Sequence, residues 1–129
     1  GRIQQIFSNE DPAVGVRHGD AEFNGIFGLA DCSGEKVASL YLGHGKKLSF
    51  RGYVLETLEK EGAARIAVSA GGYAVSCNQP TMVTLPAGKK VRKVLLQSKG
   101  QEKELTFQKN GKSVMINMPA CREGVIRIQ

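Results

Sequence analysis

An all-β fold, an antiparallel β-sandwich of about ten short strands, is what this sequence predicts, and three observations predict it. Short runs alternate apolar and polar side chains, as in Leu105-Thr106-Phe107 and Val114-Met115-Ile116-Asn117-Met118, which is the period of a strand with one buried face. Two-residue turn signals separate such runs at Gly19-Asp20, Gly71-Gly72 and Asn110-Gly111. Sixteen glycines and four prolines, spread along the chain, fit many tight turns rather than crossover helices.

Taken in order, residues 2–7 form a first strand, followed by a polar loop through Ser8-Asn9-Glu10-Asp11-Pro12. Residues 14–18 and the run from Ala21 flank Gly19-Asp20 as a hairpin, pairing Val16 with Phe23 inward and Arg17 with Glu22 outward. Asp31-Cys32-Ser33-Gly34-Glu35 is expected to be a connecting turn. Residues 37–42 then fold against 48–55 across Gly43-His44-Gly45-Lys46-Lys47, pairing Leu42 with Leu48 and Leu40 with Phe50 on the core side. Tyr41, Arg51 and Tyr53 collect on the opposite face, with His44 in the loop at its end.

Lys60-Glu61-Gly62 reads as a strand connection. Gly71-Gly72 pairs Val68 with Val75 and Ile66 with Cys77, so Cys77 is expected to be buried. Pro80 and Pro86 bracket a strand at residues 82–85, and residues 91–96 make the next. Asn110-Gly111, with the two positive φ angles of a type I′ turn, pairs Phe107 with Val114 and Leu105 with Ile116 on one apolar face. Residues 124–129 close the sheet.

The 129 residues, 41% hydrophobic and 23% charged, fit one globular domain over residues 1–129 that needs neither metal nor disulfide to fold. No apolar run approaches the roughly 18 residues of a membrane helix, so no membrane insertion is expected. The net charge of +6 lies in the second part: residues 86–129 carry ten Lys and Arg against three Glu, and residues 1–85 come to −1. Nucleic acid is not the expected partner, because the chain has no Trp and no recognition helix, and Lys99, Lys103, Lys109 and Lys112 fit the solvated face of a hairpin.

Cys32, Cys77 and Cys121 lack C-x-x-C spacing and read as small buried thiols, with one disulfide at most. His18-Gly19-Asp20 reads as the rim of a hairpin, since no third ligand or nucleophile is placed beside it. Gly43-His44-Gly45-Lys46-Lys47 leads into a strand and so lacks the helix that a phosphate-cradling loop requires. No catalytic residue, metal site or cofactor is therefore expected. A small glycan-cleaving enzyme is the weakest of the readings, because Asp20 and Glu22 are only neighbours on a hairpin rather than carboxyl groups across a cleft.

Val91-Arg92-Lys93-Val94-Leu95-Leu96, Leu105-Thr106-Phe107, Ser113-Val114-Met115-Ile116-Asn117-Met118-Pro119 and Val125-Ile126-Arg127-Ile128 resemble the C-terminal β-sandwich of fucosidase-like glycoside hydrolases. Leu40-Tyr41-Leu42-Gly43-His44-Gly45-Lys46 and Gly72-Tyr73-Ala74-Val75-Ser76-Cys77-Asn78-Gln79-Pro80 are similar to tail domains of bacterial polysaccharide lyases. Both resemblances imply a secreted or periplasmic, non-catalytic accessory domain of glycan degradation. Such a domain packs on an adjoining catalytic domain or contacts polysaccharide. A self-standing carbohydrate-binding or surface-interaction module is the alternative.

If a glycan binds, the expected surface is Tyr41, His44, Arg51 and Tyr53. Aromatic faces stack on sugar C–H surfaces, while Arg and His donate to hydroxyls or pair with the carboxylates of an acidic polysaccharide.

Overall fold

The computed structural model describes residues 1–9 and 15–129. The expected loop residues Glu10, Asp11 and Pro12 and the expected strand start at Val14 lie outside the described residues. Among the described residues there is no helix, and thirteen strands form one antiparallel sheet, strongly curled into a half-barrel. The all-β antiparallel class holds, and the strands are more numerous and some far longer than the turn signals suggest.

β1 (Arg2–Ser8) and β2 (Val16–His18) both pair with β3 (Ala21–Ser33), which pairs along its length with β4 (Lys36–Phe50). The β2–β3 hairpin has the expected register, Val16 to Phe23 and Arg17 to Glu22. Asp31 and Cys32 belong to β3 itself, and the turn there narrows to Gly34-Glu35, with Gly34 at φ 62°.

The expected hairpin across Gly43–Lys47 does not form. β4 is one strand of 15 residues, and the chain reverses at Arg51-Gly52, where φ angles of 48° and 87° supply the two positive values of a type I′ turn. Leu40, Leu42, Leu48 and Phe50 still point inward: alternation holds on each side of the bulged stretch Gly43–Lys47, where His44 is exposed and Gly45 buried, and the same parity resumes at Leu48.

On its other edge β4 forks. Its first part pairs with β6 (Gly62–Ser69), which continues through β7 (Gly72–Cys77), β13 (Cys121–Ile128), β9 (Val94–Ser98) and β10 (Gln101–Glu104). Its last residues pair with β5 (Tyr53–Thr57), which continues through β8 (Thr81–Pro86), β12 (Ser113–Met118) and β11 (Phe107–Asn110).

The two branches curl toward each other over one apolar cluster that takes Ile66, Val75, Leu96 and Ile126 from the first and Leu55, Val83, Leu85 and Ile116 from the second. Burying each such side chain contributes about 1.5–3 kcal/mol. Phe7, Phe23 and Phe50 fill the β1–β4 side, with ring centroids 5.9 and 6.1 Å apart. Residues 105 and 106 cross from one branch to the other. Leu105 N–H donates to the Val94 carbonyl at 2.8 Å, and the Thr106 carbonyl accepts from Asn117 N–H at 3.1 Å.

Two hairpins are shifted by two residues from the expected pairing. The β6–β7 loop is Ala70-Gly71, pairing Ile66 with Val75 and Ala64 with Cys77. The β11–β12 loop is Gly111-Lys112, pairing Phe107 with Ile116. Only Gly111 has positive φ there, 60°, the sign pattern of a type II′ turn rather than type I′. A slip of two keeps every side chain on its face, so Ile66, Val75, Cys77, Val114 and Ile116 remain inward.

What fixes the β6–β7 register is the close passage of β13. A Cβ on Gly72, at φ 146°, would stand 2.1 Å from the Ile126 carbonyl oxygen, whereas nothing lies within 4 Å of one on Gly88. Gly72→Ala should therefore lower the stability measured by urea denaturation by about 2 kcal/mol or more, while Gly88→Ala changes it by less than about 0.5 kcal/mol. Equal midpoints for the two variants would contradict this packing.

Candidate functional site

The unbroken β4 decides where the four expected glycan-contacting residues fall. Tyr41 lies on the outer face of β4, between Leu29 and Arg65 on the neighbouring strands, with its ring 6.3 Å from that of Phe27. His44 is exposed, and its Nε2 donates to Glu61 Oε2 at 3.0 Å. Arg51 is in the β4–β5 turn. Its Nε lies 3.4 Å from Asp20 Oδ2, and its guanidinium carbon is 4.7 Å from the centre of the Phe50 ring. Tyr53 stands opposite Phe50 in the β4–β5 ladder and so faces the core side. Tyr41 and Tyr53 thus occupy opposite faces of the sheet, and roughly 30 Å of strand separates Tyr41 from Arg51.

Asp20 of the His18-Gly19-Asp20 triplet is at the hairpin turn, engaged by Arg51. Among the described residues, no three His, Cys, Asp or Glu side chains group closely enough to hold a metal ion.

The structure brings together a different set. Tyr53, at the first position of β5, meets Tyr73, near the start of β7, edge to face at 6.4 Å, so the far ends of the two branches touch through a pair of phenols. Beside Tyr73 opens a cleft of about 630 Å³, walled by the β6–β7 turn, the end of β13 and the segment joining β8 to β9. Tyr73, Lys89, Lys90, Val91 and Arg127 line it.

The joining segment is anchored at both ends. Ala87 N–H donates to the Lys112 carbonyl at 2.8 Å, and Arg92 N–H donates to the Gln129 carbonyl at 2.7 Å. Lys89 and Lys90 ride exposed between these anchors, with no carboxylate within ion-pair distance among the described residues. Arg127 is held by Glu102, Nη2 to Oε2 at 2.8 Å, leaving the two lysines as the uncompensated charge of the cleft.

The cleft offers one aromatic ring and two unpaired cations in a single lining, suited to an anionic chain with apolar ring faces. Lys89 and Lys90 belong to the basic second part of the sequence, but their convergence with Tyr73 depends on the fold. Removal from water, reinforced by Tyr73, pushes the Tyr53 phenol from its ordinary 10.0 up to about 12. The folded chain therefore keeps this proton above the pH at which the unfolded chain loses it, and stability falls as pH rises from about 10 to about 12. In a spectrophotometric pH titration the highest phenol ionisation should vanish in Tyr53→Phe, and the alkaline loss of stability should shrink. An unchanged titration would contradict the desolvated Tyr53–Tyr73 contact.

Residues 1–68, just over half of the chain, match the family described as the endo-acting ulvan lyase C-terminal domain, and the chain belongs to that family. The matched residues run from β1 into β6 and include Leu40–Lys46, one of the stretches similar to polysaccharide-lyase tail domains. The strands that resemble fucosidase-type domains lie outside the match. No curated protein and no solved structure matches the chain.

Proposed function

Taking this family membership as the premise, we propose that the chain is a non-catalytic accessory domain of extracellular polysaccharide degradation, and that it contacts an acidic polysaccharide in the cleft beside Tyr73. The observation that carries this reading is the pinned β8–β9 segment, which sets Lys89 and Lys90 in the lining of the same cleft as Tyr73. A sugar ring lies against Tyr73, and its acidic substituents meet the two ammonium groups. Tyr53, the one originally expected contact residue at this end, backs Tyr73 from the other branch. His44 and Arg51 are occupied by Glu61 and Asp20 and form no part of this surface.

A second reading rests on the outer face of β1, β3 and β4. Ile6, Leu29 and Tyr41 form one cross-strand row, with Ile6 63% and the adjacent Phe27 40% exposed. An apolar row of this kind suits packing against an adjoining catalytic domain. The family is described as the C-terminal domain of a lyase that acts on a polysaccharide, and a secreted or periplasmic setting is the reading this description supports.

Affinity electrophoresis through gels containing ulvan or alginate, with neutral dextran as control, tests the first reading. The wild type should be retarded by an acidic polysaccharide, less so as salt rises, and Lys89→Glu with Lys90→Glu should weaken retention about tenfold without altering the melting temperature. Retention that survives the double charge reversal overturns the cleft assignment. Absence of retention by every polysaccharide would favour the packing role.

A further inference from the structure

Cys77 ends β7, Cys121 begins β13, and the two stand directly opposite each other in the antiparallel ladder. Directly opposed residues in such a ladder hold their Cα atoms about 4.5–5.5 Å apart, inside the span of about 4.4–6.8 Å that a disulfide bridges. Both side chains belong to the core cluster, 6% and 9% exposed.

Neither thiol is committed to a strong partner. Cys77 Sγ donates to the Pro119 carbonyl at 3.3 Å and Cys121 Sγ to Ser98 Oγ at 3.7 Å, both weak bonds that a change of rotamer would release. The regular ladder ends beside this pair, with a register shift between Cys121 and Gly124. Cys32 differs: Ile3 and Val37 stand opposite it on the adjacent strands, and no cysteine does.

We propose that Cys77 and Cys121 form an intramolecular cross-strand disulfide when the chain folds in an oxidising compartment. The oxidant is a second disulfide, either a small one such as glutathione disulfide or that of a thiol–disulfide oxidoreductase. One thiolate attacks it, giving a mixed disulfide and releasing one oxidant thiol. The other cysteine then displaces the second oxidant thiol. The two cysteines together lose two protons and two electrons, and the oxidant disulfide is reduced to two thiols.

Burial pushes the Cys77 thiol up from its ordinary pKa. The finished fold is therefore a poor place for the first attack, and the bond forms before the core closes. The bond closes a loop from 77 to 121 that contains β8 to β12. It joins two neighbouring strands of the first branch and encloses three strands of the second, so the β8–β9 segment that walls the cleft has less freedom in the unfolded chain.

The test is to refold reduced chain in a glutathione redox buffer, alkylate it in denaturant without reductant, and map the peptides by mass. The expected product has the Cys77 and Cys121 peptides joined, lighter by two hydrogen atoms than the sum of the free thiols, with Cys32 alkylated. Its melting temperature should exceed that of the same sample under reductant by on the order of 5 °C or more. Cys77→Ala with Cys121→Ala should melt at one temperature with and without reductant. Alkylation of all three cysteines after oxidative refolding, or a linkage through Cys32, overturns the proposal.

Discussion

The fork in β4 is the constraint on which the rest of this structure depends. At the fork three backbones pass at glycine–glycine–glycine contact: Gly25 of β3, Gly45 of β4 and Gly62 of β6 are successive partners across the sheet. A Cβ on Gly45 would lie 2.5 Å from the Gly25 Cα, so a side chain at this position cannot be accommodated without moving a strand. As β4 leaves β6 for β5, its carbonyls lose their ladder partners, and the buried Thr57 hydroxyl takes over, donating to the Gly45 carbonyl at 3.1 Å. Gln79 secures the β5–β6 connection in the same way. Its Oε1 accepts from Glu59 and Lys60 N–H, and its Nε2 donates to the Glu61 carbonyl. These buried polar side chains satisfy backbone groups that a regular sheet would have satisfied itself.

Because both branches start at one fork, their far ends must meet across the core or stay apart. They meet through Tyr53 and Tyr73. β5 runs from Tyr53 to Thr57 at the fork, and β6 runs from Gly62 at the fork to the turn that precedes Tyr73. The cleft beside Tyr73 is the mouth left between diverging branches, and the anchored β8–β9 segment supplies its positive rim. The candidate site is thus a consequence of the fork rather than of any local motif. Its cations, Lys89, Lys90 and Arg127, lie outside the part of the chain that the family match covers.

How much of this was legible follows from what one-dimensional patterns encode. Alternation identified the strands and their inward residues, because the face of a side chain depends only on parity. That is why Leu40, Leu42, Leu48 and Phe50 were placed correctly even though their pairing was not. Parity could not separate a hairpin across Gly43–Lys47 from one strand with a polar interruption, since both leave these four residues inward. Nor could it fix registers that differ by two. Gly72 and Gly111 are turn formers by their chemistry, yet Gly72 is required by the passing Ile126 carbonyl, a contact that exists only once β13 is in place. Tyr53, expected outward, faces the core because its face is set by pairing with Phe50 across Arg51-Gly52, a two-residue turn with an arginine at positive φ that no composition signal announces. The expected contact surface of Tyr41, His44, Arg51 and Tyr53 inherited that pairing, and with it the wrong neighbours.

The central claim, that β4 is one unbroken strand from which both branches hang, is tested most directly by residue-resolved amide hydrogen exchange over Gly43–Lys47. Gly45 and Lys47, which have partners on both edges of β4, should exchange about as slowly as Leu40–Leu42 and Leu48–Phe50, while the bulges beside Gly45 leave Gly43 and Lys46 less protected. Exchange over Gly43–Lys47 as fast as that of the exposed residues Gly88–Lys90 would contradict it, since that is the behaviour of a hairpin loop.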